Sequence, residues 1–298
     1  QISSLYNEAA SNNNTLDFPA GAGCVAAYAF NNNANSVVNE SDLSTCNFPT
    51  GAGCQALYQF EDNATDTCGN YNGTPNNIAY TSGLFSRAAL LNTSTSYIDS
   101  NVPLPPTSAV SFWVKTSSNP NDGNWVNLID NGGSMSAQTG VAIFRAGNGG
   151  FINLYFTSGQ TGQSQLFTGT TNLCDGAWHN IVLSMASDNT FVLYLDGASH
   201  LSGTRTRYTQ GATPTYSYIR FGQKAGSVTA GNQLYGSMDQ IRVYNSSLTQ
   251  AQVTELARGY NNTTASNVTY VKPGYTGRNN DGSIESQVSA NQDAGFSI

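Results

Sequence analysis

Few side chains in this sequence are equipped for chemistry. There are two histidines, His179 and His200, five cysteines, and 18 Asp and Glu against 11 Lys and Arg. An acyl-transfer nucleophile on a Gly-x-Ser-x-Gly elbow or a His-Glu-x-x-His metal helix would announce a hydrolase, and neither pattern occurs. His179 follows Trp178 in a strand-like run, which reads as a structural imidazole at a strand edge rather than a general base. Gly21-Ala22-Gly23 and Gly51-Ala52-Gly53 lack the third glycine and the following helix of a dinucleotide loop, so both read as turns. Cys24, Cys46, Cys54, Cys68 and Cys174 form no CxxC pair and have no neighbouring histidine, which argues against zinc. One or two disulfides outside a reducing compartment are one reading of them, and small buried apolar residues the other. Recognition chemistry is better supplied. Sugar binding needs an exposed ring beside amide or charged groups, and two polar loops are interrupted that way: Trp125 with Asn124 and Asn127, and Tyr208 with Arg205 and Arg207. The alternative for both rings is packing.

The elements that must position these residues are strands. Val110, Phe112 and Val114 alternate with Ser111, Trp113 and Lys115, and the same period of two runs through Ile152–Phe156, Ile181–Met185 and Phe191–Leu195. Asn72-Gly73, Asp122-Gly123, Asn131-Gly132, Asp175-Gly176 and Asp196-Gly197 supply the dipeptides that close tight turns. Many strands at short spacing without intervening helices argue for an antiparallel sandwich. One helix is expected, from Gln250 to Arg258. Thr249 and Gln252 have capping-box spacing, Leu248 and Val253 fit a hydrophobic staple, and Gly259 can close the last turn.

Composition agrees. Only 10% of the 298 residues are charged, while Gly, Tyr, Asn, Ser and Thr are abundant. The net charge of −7 lacks the basic stripe that tracks phosphates, which argues against nucleic acid. No apolar run approaches the ~20 residues of a membrane span. An internal repeat relates Asp17-Phe18-Pro19-Ala20-Gly21-Ala22-Gly23-Cys24 to Asn47-Phe48-Pro49-Thr50-Gly51-Ala52-Gly53-Cys54, an offset of 30 residues. That is too short for a domain, so the first copy reads as a remnant. Echoes between the two ends suggest a tandem array. The expected division is a spacer from a preceding module over 1–47, a sandwich over 48–262, and a linker with the start of a following β-rich module over 263–298.

Several segments, in order, resemble laminin-G-like modules of the concanavalin A-like lectin/glucanase superfamily. They are Ala56-Leu57-Tyr58-Gln59-Phe60-Glu61, Asp66-Thr67-Cys68-Gly69-Asn70-Tyr71-Asn72-Gly73, Ser111-Phe112-Trp113-Val114-Lys115, Gly176-Ala177-Trp178-His179, Leu193-Tyr194-Leu195-Asp196-Gly197 and Tyr235-Gly236-Ser237-Met238-Asp239 through Tyr244. The resemblance implies an all-β, antiparallel two-sheet jelly-roll sandwich with the short C-terminal helix at its edge. It also implies a Ca²⁺ site built from Glu61, Asp62, Asp66 and Asp239. The alternative is a solvated turn, with Asp239 accepting a backbone hydrogen bond. Disulfides Cys54–Cys68 and Cys24–Cys46 follow from the same likeness. Related glucanases carry Glu-x-Asp-x-Glu on one strand, and hydrolysis with retention needs two carboxyl groups about 5 Å apart. The partial match Glu40-Ser41-Asp42 lacks the second glutamate, so no enzymatic activity is expected. The cysteine placement and the Asn/Gly/Thr-rich linkers are similar to virion proteins of marine tailed phages. That likeness implies a non-enzymatic fibre or capsid/tail decoration on the virion surface, meeting other virion proteins and a host surface glycan. It implies a homo-oligomer too, trimeric as phage fibres commonly are. The alternative is a secreted cellular carbohydrate-binding or adhesion module, assisted by Ca²⁺.

Overall fold

A computed structural model describes residues 45–116, 123–133, 138–147, 149–160, 163–226 and 232–258, and the strand segments 276–278 and 284–286. The spacer copy of the repeat, Cys24, Glu40-Ser41-Asp42 and Gly259 lie outside the described residues. The chain divides into a compact unit, Val38–Tyr260, and a second unit made of Gln1–Val37 and Asn261–Ile298.

In the first unit the strands are β1 (Cys54–Tyr58), β2 (Thr74–Asn76), β3 (Ala79–Ser82), β4 (Arg87–Leu91), β5 (Tyr97–Asp99), β6 (Ser108–Lys115), β7 (Val126–Asp130), β8 (Thr139–Arg145), β9 (Phe151–Ser158), β10 (Ser164–Asn172), β11 (Trp178–Met185), β12 (Thr190–Leu195), β13 (Ala198–Thr204), β14 (Arg220–Phe221) and β15 (Gly236–Tyr244), followed by helix α1 (Gln250–Arg258). An eight-stranded sheet runs β13-β12-β11-β6-β15-β4-β3, with β1 also paired to β15; a seven-stranded sheet runs β10-β9-β8-β7-β14-β5-β2. Every pairing is antiparallel. The sandwich expected from sequence is therefore the observed fold. In the second unit, β16 (Thr276–Arg278) and β17 (Ile284–Ser286) pair antiparallel.

The period of two decides what meets in the middle. Phe112, Ile181, Leu183, Leu193, Ile241 and Val243 from one sheet pack against Ile143, Ile152, Leu154, Phe156 and Phe221 from the other. Fully burying each such side chain is worth roughly 1.5–3 kcal/mol. Phe191 joins the layers, its ring 5.2 Å from Phe156 and 4.6 Å from Phe167.

The outer face of the eight-stranded sheet is dry as well over its central strands β11, β6 and β15. In β6 every residue but Lys115 is buried. The covering layer is α1 and the segment before β1: Phe48, Ala52, Leu248, Val253 and Leu256 pack on Ala109, Val182, Tyr194 and Tyr244. The helix begins where its caps dictate. The Thr249 hydroxyl accepts from Gln252 N at 3.3 Å, and Gln252 Oε1 accepts from Thr249 N at 3.0 Å. That reciprocal pair and the buried Leu248–Val253 staple are the signals the sequence carried.

Where the two sheets approach at one end, Gln165 of β10 reaches across. Its Nε2 donates to Thr204 O of β13 at 3.0 Å, and its Oε1 accepts from Thr206 N at 2.8 Å.

The β12–β13 hairpin turns through Asp196 (φ 51°) and Gly197 (φ 81°), a left-handed pair that matches the twist of its strands. Asp196 also accepts from His179 Nδ1 at 2.9 Å, while Asp175 takes His179 Nε2 at 3.1 Å. Two carboxylates on one nearly buried imidazole favour its charged form. The Asp196 hydrogen bond is the main cause of a His179 pKa raised above the usual value, with burial opposing it. His179 is thus held between two carboxylates, on a strand flanked by β6 and β12 rather than at the sheet edge. Because the folded-state pKa is raised, the clamp's stabilisation is complete below the unfolded value near 6.5 and is lost as pH rises through the folded one. Urea unfolding followed from acidic to mildly alkaline pH is expected to show wild type losing stability over that window. H179N is expected to be flatter there.

Candidate functional site

The carboxylates of the expected calcium site are dispersed among different tasks. Asp66 is buried in the turn after β1, and its two oxygens are consumed by backbone amides. Oδ1 accepts from Leu57 N (2.8 Å) and Cys68 N (2.9 Å), and Oδ2 from Asn70 N (3.0 Å) and Tyr71 N (2.9 Å). This is a turn organiser that also staples the turn to β1. With four donors on it, the side chain has no lone pair left to offer a cation, so Asp66 leaves the ligand set. Asp62 is exposed and paired with Arg87, 2.8 Å away.

Asp239 and Glu61 remain. Asp239 follows from an irregularity that the sequence pattern does not show. A bulge in β15 at Gln240, whose φ is 48°, lets Asp239 and Arg242 share the outer face although three residues apart, opposite Trp113 and Ser111 of β6. The Asp239 side chain is fully buried. Its Oδ2 accepts from Leu84 N at 3.0 Å and Phe85 N at 3.1 Å, while Oδ1 has no hydrogen-bond partner. Gly83 is required here, because a Cβ would stand 2.7 Å from Asp239 Oδ2 and 2.5 Å from Arg87 O. Burial pushes the Asp239 pKa up to about 7 against the pull of those amides, and the negative charge of Glu61 adds to the rise. The backbone-acceptor role foreseen as the alternative is therefore real, and an orphaned oxygen accompanies it. Among the described residues no three carboxylates converge as a metal-binding group. The expected foursome does not come together as a calcium site.

The two proposed sugar-binding loops separate just as clearly. Arg205 and Tyr208 are each 1% exposed. The Arg205 guanidinium donates to Tyr208 O at 2.7 Å and Ala186 O at 2.8 Å, and lies 5.7 Å from the Phe156 ring. The Tyr208 hydroxyl donates to Leu104 O. This pair closes the end of the core and is withdrawn as a ligand site. Trp125 has the opposite fate. Half of its surface is exposed, 50%. Its ring stacks on Phe144 of β8 at 4.9 Å and 30°, and Phe144 meets Tyr155 of β9 edge-on at 6.2 Å. Asn127 and Asn153 face Phe144 from the flanking strands but are buried. They flank Phe144 on the same face of the sheet, and Asn127 is not a surface contact.

Among the described residues the disulfide is Cys46–Cys68. Both expected pairings fail, because Cys46 and Cys68 have each other and Cys54 carries a free thiol. The reason is the path of the chain before β1. Arg242 donates to Thr45 O at 2.9 Å, and its guanidinium lies 5.4 Å from the Phe48 ring, which draws this segment across the outer face and brings Cys46 to the turn. Arg242 was not singled out from sequence. An arginine set between Ile241 and Val243 in the closing strand was the available signal.

Replacing Asp66 by alanine orphans four amides in a half-buried turn. Denaturant titration is expected to show a loss of about 3 kcal/mol or more, given ~1–3 kcal/mol per unsatisfied buried donor.

Comparison with known proteins follows this geometry. No curated protein matches the sequence. Domain 4 of AbnA, an extracellular arabinanase of Geobacillus stearothermophilus solved with arabinotriose, matches with a TM-score of 0.53 and 23% identity, over 69% of this chain and 98% of that one. The binding domain of Paraclostridial Mosquitocidal Protein 1 matches at 0.56 and 19%, over 69% of this chain and 51% of its own. The ligand-binding domain of botulinum neurotoxin serotype D, solved with N-acetylneuraminic acid, matches at 0.54 and 17%, over 73% of this chain and 52% of its own. This chain thus spans about half of each toxin domain, and at these identities the likeness is one of fold. A family model described as the Concanavalin A-like lectin/glucanases superfamily, of laminin-G type, matches residues 92–254, more than half of the chain. With its two antiparallel sheets and that match, the chain belongs to the concanavalin A-like lectin/glucanase superfamily.

Proposed function

We propose that this sandwich is a non-enzymatic glycan-binding module acting outside the cell, with Trp125 as the ring on which a sugar stacks. The observation that carries the reading is the half-exposed indole laid on Phe144. A large apolar ring held rigid at the surface of a soluble fold loses little entropy on binding, and it matches the CH face of a pyranose or furanose. A disulfide in the fold suits an oxidising compartment. Two structures of similar fold were solved with saccharides, arabinotriose and N-acetylneuraminic acid, which supports the ligand class without naming the ligand. The finer setting we propose is the surface of a tailed-phage virion, where the module contacts a host glycan and neighbouring virion proteins as a homo-oligomer. The internal repeat and the linker composition support that setting.

Calcium belongs to this proposal through Asp239 and Glu61. The ion would supply positive charge to a buried carboxylate that has one unpartnered oxygen.

Titration of the full chain against a glycan panel is expected to find a saccharide whose binding weakens about tenfold or more in W125A, a loss of about 1.4 kcal/mol, with the circular dichroism unchanged. Undiminished binding by W125A, or no binding by wild type to any glycan, defeats the reading. For calcium, about 1 mM CaCl₂ near neutral pH is expected to raise the Tm of wild type and leave D239N unmoved. An equal shift in both proteins removes Asp239 from the site.

A further inference from the structure

The sulfurs of Cys46, Cys54 and Cys68 all lie within 4.8 Å of one another, yet only two of them can be bonded at once. The third, on Cys54, is a thiol facing a disulfide at a distance that small motions close. We propose that these residues form a thiol–disulfide exchange centre, in which Cys54 attacks Cys68 and moves the crosslink from Cys46–Cys68 to Cys54–Cys68.

The step balances without an outside oxidant or reductant. The Cys54 thiol gives up its proton. The thiolate bonds to Cys68 Sγ as the Cys46–Cys68 bond breaks, and Cys46 leaves as a thiolate and takes up a proton. One disulfide and one thiol exist before and after. Cys68 is the target because its segment is already held against β1. Thr67 N donates to Leu57 O at 2.8 Å, and Asp66 Oδ1 accepts from both Leu57 N and Cys68 N. Cys54 and Cys68 are therefore carried on segments that are already hydrogen-bonded together near Leu57.

The surroundings determine the speed. Cys54 Sγ lies 3.3 Å from Ala56 O, to which its thiol donates. On β15 the Arg242 guanidinium favours a Cys54 thiolate and Tyr244 packs close by; in the turn after β1 Asp66 opposes the thiolate; burial, the largest influence, pushes the thiol up. The exchange is thus gated by deprotonation of a shielded nucleophile.

Its consequence is mechanical. Cys46–Cys68 anchors residues 45–53, the segment whose Phe48 and Ala52 cover the outer face of the eight-stranded sheet. After exchange that segment keeps its hydrogen bonds to Arg242 but loses its covalent anchor.

The test is disulfide mapping by mass spectrometry on the oxidised full chain, held at about pH 7 and about pH 9, acid-quenched and alkylated. A Cys54–Cys68 peptide is expected to appear, with a rate that rises on the order of a hundredfold over those two pH units because the thiolate is the attacking species. C54S is expected to give Cys46–Cys68 alone at both pH values. In C46S, oxidised glutathione is expected to drive Cys54–Cys68 formation, with far-ultraviolet circular dichroism reporting that the sheets are intact. Only Cys46–Cys68 at both pH values in wild type would overturn the proposal. So would a folded C46S that keeps two reduced thiols, or a Cys54 bonded to Cys24 or Cys174.

Discussion

A sheet whose central strands are dry on both faces cannot be finished by its partner sheet alone. The eight-stranded sheet meets the seven-stranded one on its inner side, and its outer side carries Ala109, Val182, Tyr194 and Tyr244, which water would disfavour. Something must lie over them. The chain uses its two flanks, the segment containing Phe48 and the helix Gln250–Arg258, and the remaining outer-face features follow from fastening those flanks down. Arg242 holds Thr45 O, Ser184 Oγ accepts from Leu248 N at 2.8 Å, and Cys46–Cys68 locks the N-terminal flank. A buried arginine is tolerable in this position because it spends its donors on carbonyls and lays its face near a ring.

What was legible in the sequence was local. The capping box and staple of α1 involve residues three to five apart, so their spacing specifies the helix without reference to the rest of the chain. Strands such as Ile181–Met185 were legible for the same reason, since alternation is a property of the backbone itself. Buried charge was illegible. Arg205 and Tyr208 sit in a polar stretch and read as surface, and only the carbonyls of Ala186 and Leu104, distant in sequence, make their burial affordable. The disulfide failed for a related reason. Three sulfurs converge because of the path of the chain before β1, and a one-dimensional pattern shows neither that convergence nor which two bond.

The residues expected to hold calcium and sugar divide along the same line. Asp66 was recognised as special, and it is, but its partners are amides within five residues and on β1. Asp239 owes its burial to the Gln240 bulge, a left-handed conformation at a residue with no turn chemistry to reveal it. Trp125 stood out as an aromatic in a polar loop, and its exposure rests on Phe144 occupying the space beneath it.

Gln165 carries a consequence for the edge of the eight-stranded sheet, where β13 is the terminal strand. Its carboxamide has the same donor and acceptor as a peptide unit, and it presents them to Thr204 O and Thr206 N, the groups that flank Arg205 at the rim of β13. One side chain thereby impersonates a neighbouring strand at the place where a real one could dock. That end of the β13 edge therefore offers another strand neither its acceptor at Thr204 nor its donor at Thr206.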